Sequence, residues 1–390
     1  MRKNYNTTII ACFIGYITQA VVNNFIPLLF VTLQDSYQIP LGQITLLVTI
    51  NFAVQLLTDF LATYFVDRIG YKVSIVAAHV FSAVGLLLLP VLPGVMDPFA
   101  GILTAVIIYA IGGGLLEVLV SPIMESCPTD NKEAAMSLLH SFYCWGHVGV
   151  VLVSTVFFHF AGIENWPILS FIWALIPICN GILFTQAPIA PLISEGETGM
   201  TMGQLFKNKI FWLLMIMMVC SGASEQAVSQ WASAFAEQGL GISKAAGDLA
   251  GPMAFAVFMG SARAFYGKMG EKLNLDRFMK GSLVLCVGSY LLISLSPWPV
   301  LSLVGCALCG MSVGILWPGT FSKAAVVLRR GGTAMFALLA LAGDLGCSSG
   351  PSLVGAVAEA AGGDLKVGIL VAMVFPVALL LCLGKKIENE

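Results

Sequence analysis

The feature that most limits the fold of this chain is a succession of twelve long apolar segments, separated by short polar or Gly- and Pro-containing connectors. Each segment supplies about the 20 mostly apolar residues that an α-helix needs to cross a bilayer. Backbone groups in lipid must be hydrogen-bonded internally, so these segments are predicted to be transmembrane α-helices. The predicted spans are 8–33, 41–66, 73–94, 98–124, 134–161, 165–185, 209–236, 245–267, 278–296, 299–321, 332–360 and 365–384.

The composition excludes a water-soluble protein. Of the 390 residues, 58% are hydrophobic and 10% are charged, whereas soluble domains carry about 25% charged residues. The net charge of −2 indicates no partner, and the absence of a basic stripe argues against nucleic acid. The ten cysteines lie mostly in apolar segments, where Cys is a small apolar filler, so we predict neither a metal site nor a cofactor. The first segment is too long for a signal peptide and is predicted to be a membrane helix.

The distribution of basic residues predicts the orientation. With a cytoplasmic N-terminus and alternating spans, 17 of the 19 lysines and arginines fall on the cytoplasmic side, and only Lys244 and Lys366 fall outside. Basic residues are concentrated in cytoplasmic loops. We therefore expect a multi-pass protein of the cytoplasmic (inner) membrane with both termini in the cytoplasm.

A long polar connector predicts two halves. The connector 186–208 follows the sixth span, so the chain divides into a six-helix half at 1–190, a cytoplasmic linker at 191–208 and a second six-helix half at 209–390. The short loops DRIGYK (67–72) and GKMGEK (267–272) follow the second and eighth spans, at matching places in the two halves. This organisation is typical of transporters with parallel repeats.

The loop after the second span carries a family resemblance. The stretch YFVDRIGYK resembles the signature of the major facilitator superfamily between its second and third helices, with matches at Asp67, Arg68, Gly70 and Lys72. The resemblance implies an all-α membrane fold of twelve helices in two pseudo-repeat halves.

A narrower resemblance lies in the fourth span. The stretch GGGLLEVLVSP is similar to the corresponding motif of the fucose permease branch (fucose–galactose–hexose:proton symporters), and NNFIP (23–27) is similar to that branch's first helix. The resemblance implies that His140 and Tyr143 of the fifth span lie beside the substrate. The fucose permease has an Asp in the first helix where this chain has Phe25 or Ile26. A two-carboxylate coupling scheme, and fucose itself, therefore cannot be carried over.

Four ionisable side chains are predicted near the middle of spans, where a charge costs roughly 2.5–3.5 kcal/mol on insertion scales. We predict that they handle protons: they are Glu117, His147, Glu225 and Asp344. An apolar site favours the neutral form of a carboxyl, which suits Glu117 to a proton carrier with Ser121 as its partner. Structural roles remain the alternative for the histidines, and Asp344 could equally bind substrate or lock a gate.

Polar stripes mark candidate substrate contacts. On the first span Tyr16, Gln19 and Asn23 follow helical spacing, and on the seventh Gln226, Gln230 and Ser233 do so beside Trp231. Amides can donate to and accept from sugar hydroxyls, and an indole can cover the C–H face of a sugar ring. The alternative is that these residues only join helices.

Charges near the inner helix ends predict a gate. Asp59 and Asp67 are eight residues apart in the second span, Arg68 follows, and Arg263 lies at the matching end of the eighth span. We predict a conformational rather than a chemical role for these residues.

The predicted function is secondary active transport of a neutral sugar or polyol by alternating access, coupled to protons or to sodium, in a monomer. A proton-driven exporter of drugs or lipophilic cations is the alternative, because buried acids with many Phe and Met residues also suit a cation. A receptor or an intramembrane enzyme is a third reading. No Ser-His pairing, HExxH or nucleotide loop supports an enzyme.

Overall fold

The computed structural model describes residues 5–39, 41–190, 199–232, 244–362 and 364–384. This part of the chain is helical and contains no β-strand. Its α-helices are α1 (Asn6–Asn24), α2 (Phe30–Tyr37), α3 (Leu41–Ile69), α4 (Tyr71–Leu88), α5 (Pro98–Ser126), α6 (Lys132–Ala161), α7 (Trp166–Gln186), α8 (Met202–Lys207), α9 (Lys209–Ser229), α10 (Lys244–Met269), α11 (Leu275–Leu295), α12 (Pro299–Val313), α13 (Leu316–Val327), α14 (Gly332–Ala360), α15 (Leu365–Ala372) and α16 (Val374–Gly384).

The predicted all-α membrane class is confirmed, whereas the count of twelve spans stays a prediction. Within the described residues, ten helical segments are long and apolar enough to cross a membrane. The two predicted spans outside this set correspond to α3 and α10, which are helices of 29 and 26 residues. Helix α3 contains a shorter apolar stretch, Ile50–Val66.

Several helix ends follow from local sequence. The Asp97 carboxylate accepts a hydrogen bond from the backbone N–H of Ala100 at the start of α5 (2.9 Å), and Pro98 occupies the first turn. Asn208 caps α9 in the same way, through Ile210. Such caps satisfy N–H groups that have no partner within the helix. Gly70 separates α3 from α4 with φ +93°, a conformation that favours glycine.

The contacts divide the chain into two compact units. The first comprises Met1–Pro128 with Trp145–Glu197, and the second comprises Thr129–Cys144 with Thr198–Glu390. Helix α6 therefore contributes residues to both units. The predicted boundaries at 190 and 209 remain a prediction.

In the first unit, α5 packs against α1, α3 and α4, and α7 packs against α4 and α1. The glycines of α5 permit these close contacts. A Cβ on Gly112 would lie 2.6 Å from the Ala78 carbonyl oxygen of α4, and one on Gly114 would lie 2.9 Å from the Gln55 carbonyl oxygen of α3. The three-glycine run therefore lets two neighbouring helices approach α5 on different sides.

A side chain at position 114 should disrupt this packing. We expect Gly114→Ala to destabilise the protein by about 1–3 kcal/mol, because the new methyl group meets backbone and Cβ atoms that cannot move aside cheaply. The measurement is the apparent melting temperature in detergent. Gly149→Ala in α6 is the matched control, since a Cβ there has no neighbour within 4 Å. Equal melting temperatures for both variants would contradict the close approach.

In the second unit, the most extensive contact joins α9 and α14. A Cβ on Gly350 would lie 2.6 Å from the Ala223 carbonyl oxygen, so this crossing also depends on glycine. Helix α12 packs against α10 and α11, and α16 packs against α9. The Tyr290 hydroxyl of α11 donates to the Ser224 carbonyl oxygen of α9 (2.8 Å), which ties these two helices together.

Candidate functional site

Polar side chains of α1 and α5 meet inside the first unit. The Gln19 amide donates from Nε2 to Oε2 of Glu117 (2.9 Å), and the hydroxyl groups of Tyr16 and Ser121 lie 2.8 Å apart. Tyr16 and Gln19 are each 3% exposed, and Glu117 is half-buried. Each helix presents its two polar residues three or four positions apart, on one face. The sequence did not point to Gln19 as a partner of Glu117; a contact of Glu117 with Ser121 stays a prediction.

A second polar cluster lies one turn along α1. The side-chain oxygen Oδ1 of Asn23 accepts from Gln55 Nε2 (2.6 Å) and from Asn51 Nδ2 (3.3 Å), both on α3. Gln55 and Asn51 are buried. Sequence analysis identified Asn23 but missed both partners. Their four-residue spacing within an apolar helix was the signal that could have found them.

Asp59, one of the predicted gate residues, lies close to Glu117; its role in a gate stays a prediction. Its side chain is fully buried in α3, and one of its carboxylate oxygens lies within 4.8 Å of one of Glu117. A Cβ on Gly114 would come 3.1 Å from Oδ1 of Asp59, so the absent side chain at position 114 makes room for this carboxylate. Arg68 is exposed, and the side chain of Asp67 lies outside the described residues.

Arg263, the other basic residue of the predicted gate, is buried among polar partners, and its role in a gate stays a prediction. It is 4% exposed within the second unit, and Nη2 pairs with Oε2 of Glu225 at 3.3 Å. Nε donates to the Gly314 carbonyl oxygen (2.8 Å), and Nη1 donates to the His140 carbonyl oxygen (3.2 Å) and to Sγ of Cys144 (3.1 Å). The guanidinium is thus held by α6, α9 and the α12–α13 junction, and Glu225 neutralises it.

The polar residues of α6 have different surroundings. The His140 ring is buried and stacks on the Phe321 ring, with ring centroids 5.9 Å apart. Tyr143 and His147 are half-buried. His140 belongs to the second unit and His147 to the first. The two histidines therefore have separate surroundings although they share a helix.

The predicted stripe on the seventh span is only partly within a helix. Helix α9 ends at Ser229, Gln226 donates to Oε1 of Glu225 (3.4 Å), and Gln230 is exposed. The indole Nε1 of Trp231 is buried without an acceptor among the described residues, so a bound ligand could supply one. Ser233 lies outside the described residues. Asp344 is half-buried on α14.

One buried network escaped sequence analysis. His79 of α4 is 1% exposed; its Nδ1 lies 2.7 Å from the Ile75 carbonyl oxygen, and its Nε2 lies 2.8 Å from Asn180 Nδ2 on α7. The same Asn180 nitrogen donates to the Ala11 carbonyl oxygen of α1 (3.0 Å). The network therefore joins α1, α4 and α7. This arrangement fits a neutral imidazole that donates from Nδ1 and accepts at Nε2.

The two polar clusters of the first unit combine a half-buried carboxyl with a buried one, four amides and two hydroxyls. The arrangement suits a group that gains and loses a proton beside neutral hydrogen-bonding partners.

Solved structures with the same architecture are transporters. One is an MFS transporter, FucP, in the outward conformation (TM-score 0.84, 14% identity, covering 97% of this chain and 98% of that one). Another is the proton:xylose symporter XylE bound to 6-bromo-6-deoxy-D-glucose (TM-score 0.81, 13% identity, 98% and 96%). A third is the human organic anion transporter MFSD10 (TM-score 0.76, 14% identity, 98% and 100%). At such low identity these likenesses show the fold alone.

Comparison with curated protein sequences gave no match. The family profile described as Major Facilitator Superfamily matches residues 8–351, which is most of the chain. This match agrees with the signature at the end of α3 and with the fold of the neighbours. The chain therefore belongs to the major facilitator superfamily and is a multi-pass membrane transporter.

Proposed function

We propose that this transporter is a symporter that moves a neutral sugar or polyol together with a proton by alternating access. The observation that carries the proposal is the contact of Glu117 with Gln19, inside a cluster of amides and hydroxyl groups. A carboxyl with such neighbours can exist neutral or charged, and its neighbours suit the hydroxyl groups of a neutral solute.

The proposed coupling uses both forms of Glu117. As the acid, Glu117 costs little in apolar surroundings and can donate to a substrate hydroxyl. As the anion, it accepts from the Gln19 amide, which compensates part of the desolvation. Proton release toward the cytoplasm then links the charge on Glu117 to substrate occupancy.

A neutral substrate is supported by the contacts of the buried Arg263. Arg263 already pairs with Glu225 and donates to two carbonyl oxygens and a thiol, so its charge is compensated within the protein. Sugar cargo is further supported by the neighbours: XylE is a proton:xylose symporter, and a variant of the E. coli fucose:proton symporter FucP has the same fold (TM-score 0.83, 15% identity, 98% of this chain and 99% of that one).

An exporter of drugs or lipophilic cations remains the second candidate. The observation in its favour is that the Asp59 and Glu117 carboxyls, close together in a buried place, would attract a cation. The two candidates differ in the charge of the ligand and are distinguished by binding.

A thermal-shift screen against sugars, polyols and lipophilic cations tests the proposed function. A ligand that binds only the folded state stabilises it by about 2.7 kcal/mol at a hundredfold excess over its Kd. We expect at least one neutral sugar or polyol to raise the melting temperature and the cations to leave it unchanged. Stabilisation by cations alone would favour the exporter and contradict the proposal.

Two amides at the C-terminal end of α9, one inside the helix and one just after it, provide the matching variants. We expect Gln226→Ala and Gln230→Ala each to weaken binding of the identified sugar by about 1–3 kcal/mol, because a sugar hydroxyl loses its partner. Gln186→Ala, at the exposed end of α7, is the control. If both variants bind as the control does, these amides only join helices.

The proposed location is the cytoplasmic membrane. In the proposed topology, both termini and the connector 186–208 lie on the cytoplasmic side. A cysteine introduced as Ser194→Cys should resist an impermeant maleimide in intact cells and react after permeabilisation. Met96→Cys, in the exposed connector before α5, should react in intact cells. Labelling is measured against the parent protein, which has its own cysteines. The reverse pattern would contradict the orientation.

A further inference from the structure

The corner between α8 and α9, in the second unit, presents two aromatic rings on the surface. The Trp212 indole donates from Nε1 to the Phe206 carbonyl oxygen (2.8 Å), and the centroids of the two rings lie 5.6 Å apart. Phe206 is 39% exposed and Trp212 is 49% exposed, whereas Phe211 is buried beneath the corner. The rings are thus fixed where α9, a helix long and apolar enough to cross a membrane, begins. Aromatic side chains at such a helix end lie at the level of the lipid headgroups.

Three basic side chains lie at the same corner or on the connector beside it. Lys207 and Lys209 are exposed at the junction of α8 and α9, and Arg329 is exposed in the connector between α13 and α14. The connector is close to the corner, because the backbone N–H of Met200 donates to the Arg330 carbonyl oxygen (2.7 Å) and α8 packs against α14. Two segments that are distant in sequence therefore form one basic and aromatic surface.

The charges of this surface are not balanced by acids in the part of the chain that the structure describes. The stretches 199–212 and 324–338 contain neither Asp nor Glu. Within the described residues, none of the three basic side chains takes part in an ion pair. Glu195 and Glu197 are the acids closest to it in sequence, and they lie outside the described residues. Even with both of them beside it, the surface would remain positive.

The connector between α10 and α11 has equally many exposed basic side chains but a different balance of charge. Lys268, Lys272 and Arg277 are exposed there, and the exposed acids Glu271 and Asp276 alternate with them. A neighbouring carboxylate weakens the attraction of a basic residue for an anion. This connector is therefore a matched comparison for the surface at the α8–α9 corner.

We propose that the α8–α9 corner and the α13–α14 connector together bind the headgroup of an anionic phospholipid. The negative headgroup would lie among Lys207, Lys209 and Arg329, and the rings of Phe206 and Trp212 would contact the glycerol and the upper part of the acyl chains. Basic residues beside a membrane-spanning helix attract anionic lipids. The exposed rings favour a lipid over a free phosphate ion, which would use the charges alone. This site is independent of the transported substrate.

The test uses the full-length protein in phosphatidylcholine vesicles that contain a small fraction of photoactivatable phosphatidylglycerol. After illumination, mass spectrometry gives the fraction of the peptide 199–212 that carries the lipid. We expect the triple variant Lys207→Gln, Lys209→Gln, Arg329→Gln to lower this labelling at least about fivefold, because each basic residue at a membrane surface strengthens the attraction to anionic lipid. Addition of inorganic phosphate should leave the labelling of the parent protein unchanged.

The matched control removes the same number of charges from the α10–α11 connector. The triple variant Lys268→Gln, Lys272→Gln, Arg277→Gln should leave labelling of 199–212 as in the parent protein. Equal losses in both triple variants would overturn the proposal in favour of a general attraction between charges. Unchanged labelling in the first variant would overturn it as well, and displacement by inorganic phosphate would replace the lipid by a free anion.

Two further measurements separate charge from damage to the fold. The variant Lys207→Arg, Lys209→Arg, Arg329→Lys keeps every charge and should label as the parent protein does; a loss there would overturn a role for charge. If the neutral triple variant does not fold, the salt dependence of the parent protein decides. Labelling should fall at least about fivefold when salt is raised to about 1 M, where charges are screened. Labelling that does not respond to salt would contradict binding through these residues.

Discussion

A Glu117→Gln protein is expected to bind its substrate and exchange it across the membrane, yet fail to accumulate it in response to a pH gradient. Gln resembles the protonated carboxyl in shape and charge, and it retains a donor for a substrate hydroxyl. It cannot release a proton, so substrate movement loses its link to the gradient. In vesicles with an imposed pH gradient, the internal substrate concentration should not exceed the external one, whereas counterflow continues.

The control for this experiment is Glu164→Gln. Glu164 is exposed in the connector before α7, so its replacement should leave both accumulation and counterflow unchanged. A Glu117→Gln protein that still concentrates substrate would show that another group carries the proton. Loss of counterflow together with accumulation would instead assign Glu117 to substrate binding.

Breaking the Arg263–Glu225 pair should destabilise the protein severely. Their side chains are 5% and 14% exposed, so either single substitution leaves a charge in a place with little water. Removal of one partner of a buried pair typically costs about 3–5 kcal/mol. We expect Arg263→Gln and Glu225→Gln each to lower the melting temperature by at least about 5 °C. The double variant should lower the melting temperature by less than the sum of the two single effects.

The second unit also provides a matched control for this pair. Lys323 pairs with Asp276; their side chains are 13% and 51% exposed, so water reaches the carboxylate of this pair, and pairs open to water contribute only about 0–1 kcal/mol. Lys323→Gln should therefore change the melting temperature little. Equal effects of Arg263→Gln and Lys323→Gln, or additive losses in the double variant, would contradict a buried and mutually dependent pair.

Hydropathy and the cost of charge in lipid predicted the membrane class and drew attention to Glu117. A carboxyl in the middle of an apolar span is expensive, and such residues usually have a function. The polar stripe of α1 was also visible, because helical spacing places Tyr16 and Gln19 on one face. These properties belong to single helices, which is why they can be read from local sequence.

The partners of these residues could not be predicted, because they depend on how helices approach one another. Asp59 was grouped with Asp67 and Arg68 from their proximity in sequence. The structure also brings it close to Glu117 on α5, beside the space that the missing side chain at Gly114 leaves. A sequence shows that a glycine permits close packing, but it does not show which helix uses the space.

Arg263 illustrates the same difficulty for a charge. Its position near the end of a span suggests an inner gate, which stays a prediction, but the sequence did not show that its long side chain reaches Glu225 of α9 and carbonyl oxygens of other helices. An arginine has five N–H donors and can bind several elements at once. Its partners therefore follow from tertiary packing and not from its depth in the span.

The central claim, coupling of neutral solute to protons, is tested most directly by measuring both fluxes together. Purified protein in liposomes, with a pH-sensitive dye inside and a labelled sugar from the thermal-shift screen outside, receives a sugar gradient and no pH gradient. The account predicts that sugar entry acidifies the interior, with a fixed ratio of protons to sugar, and that Glu117→Gln abolishes the acidification while sugar still exchanges. Sugar entry without a change in internal pH, or with alkalinisation, would contradict it.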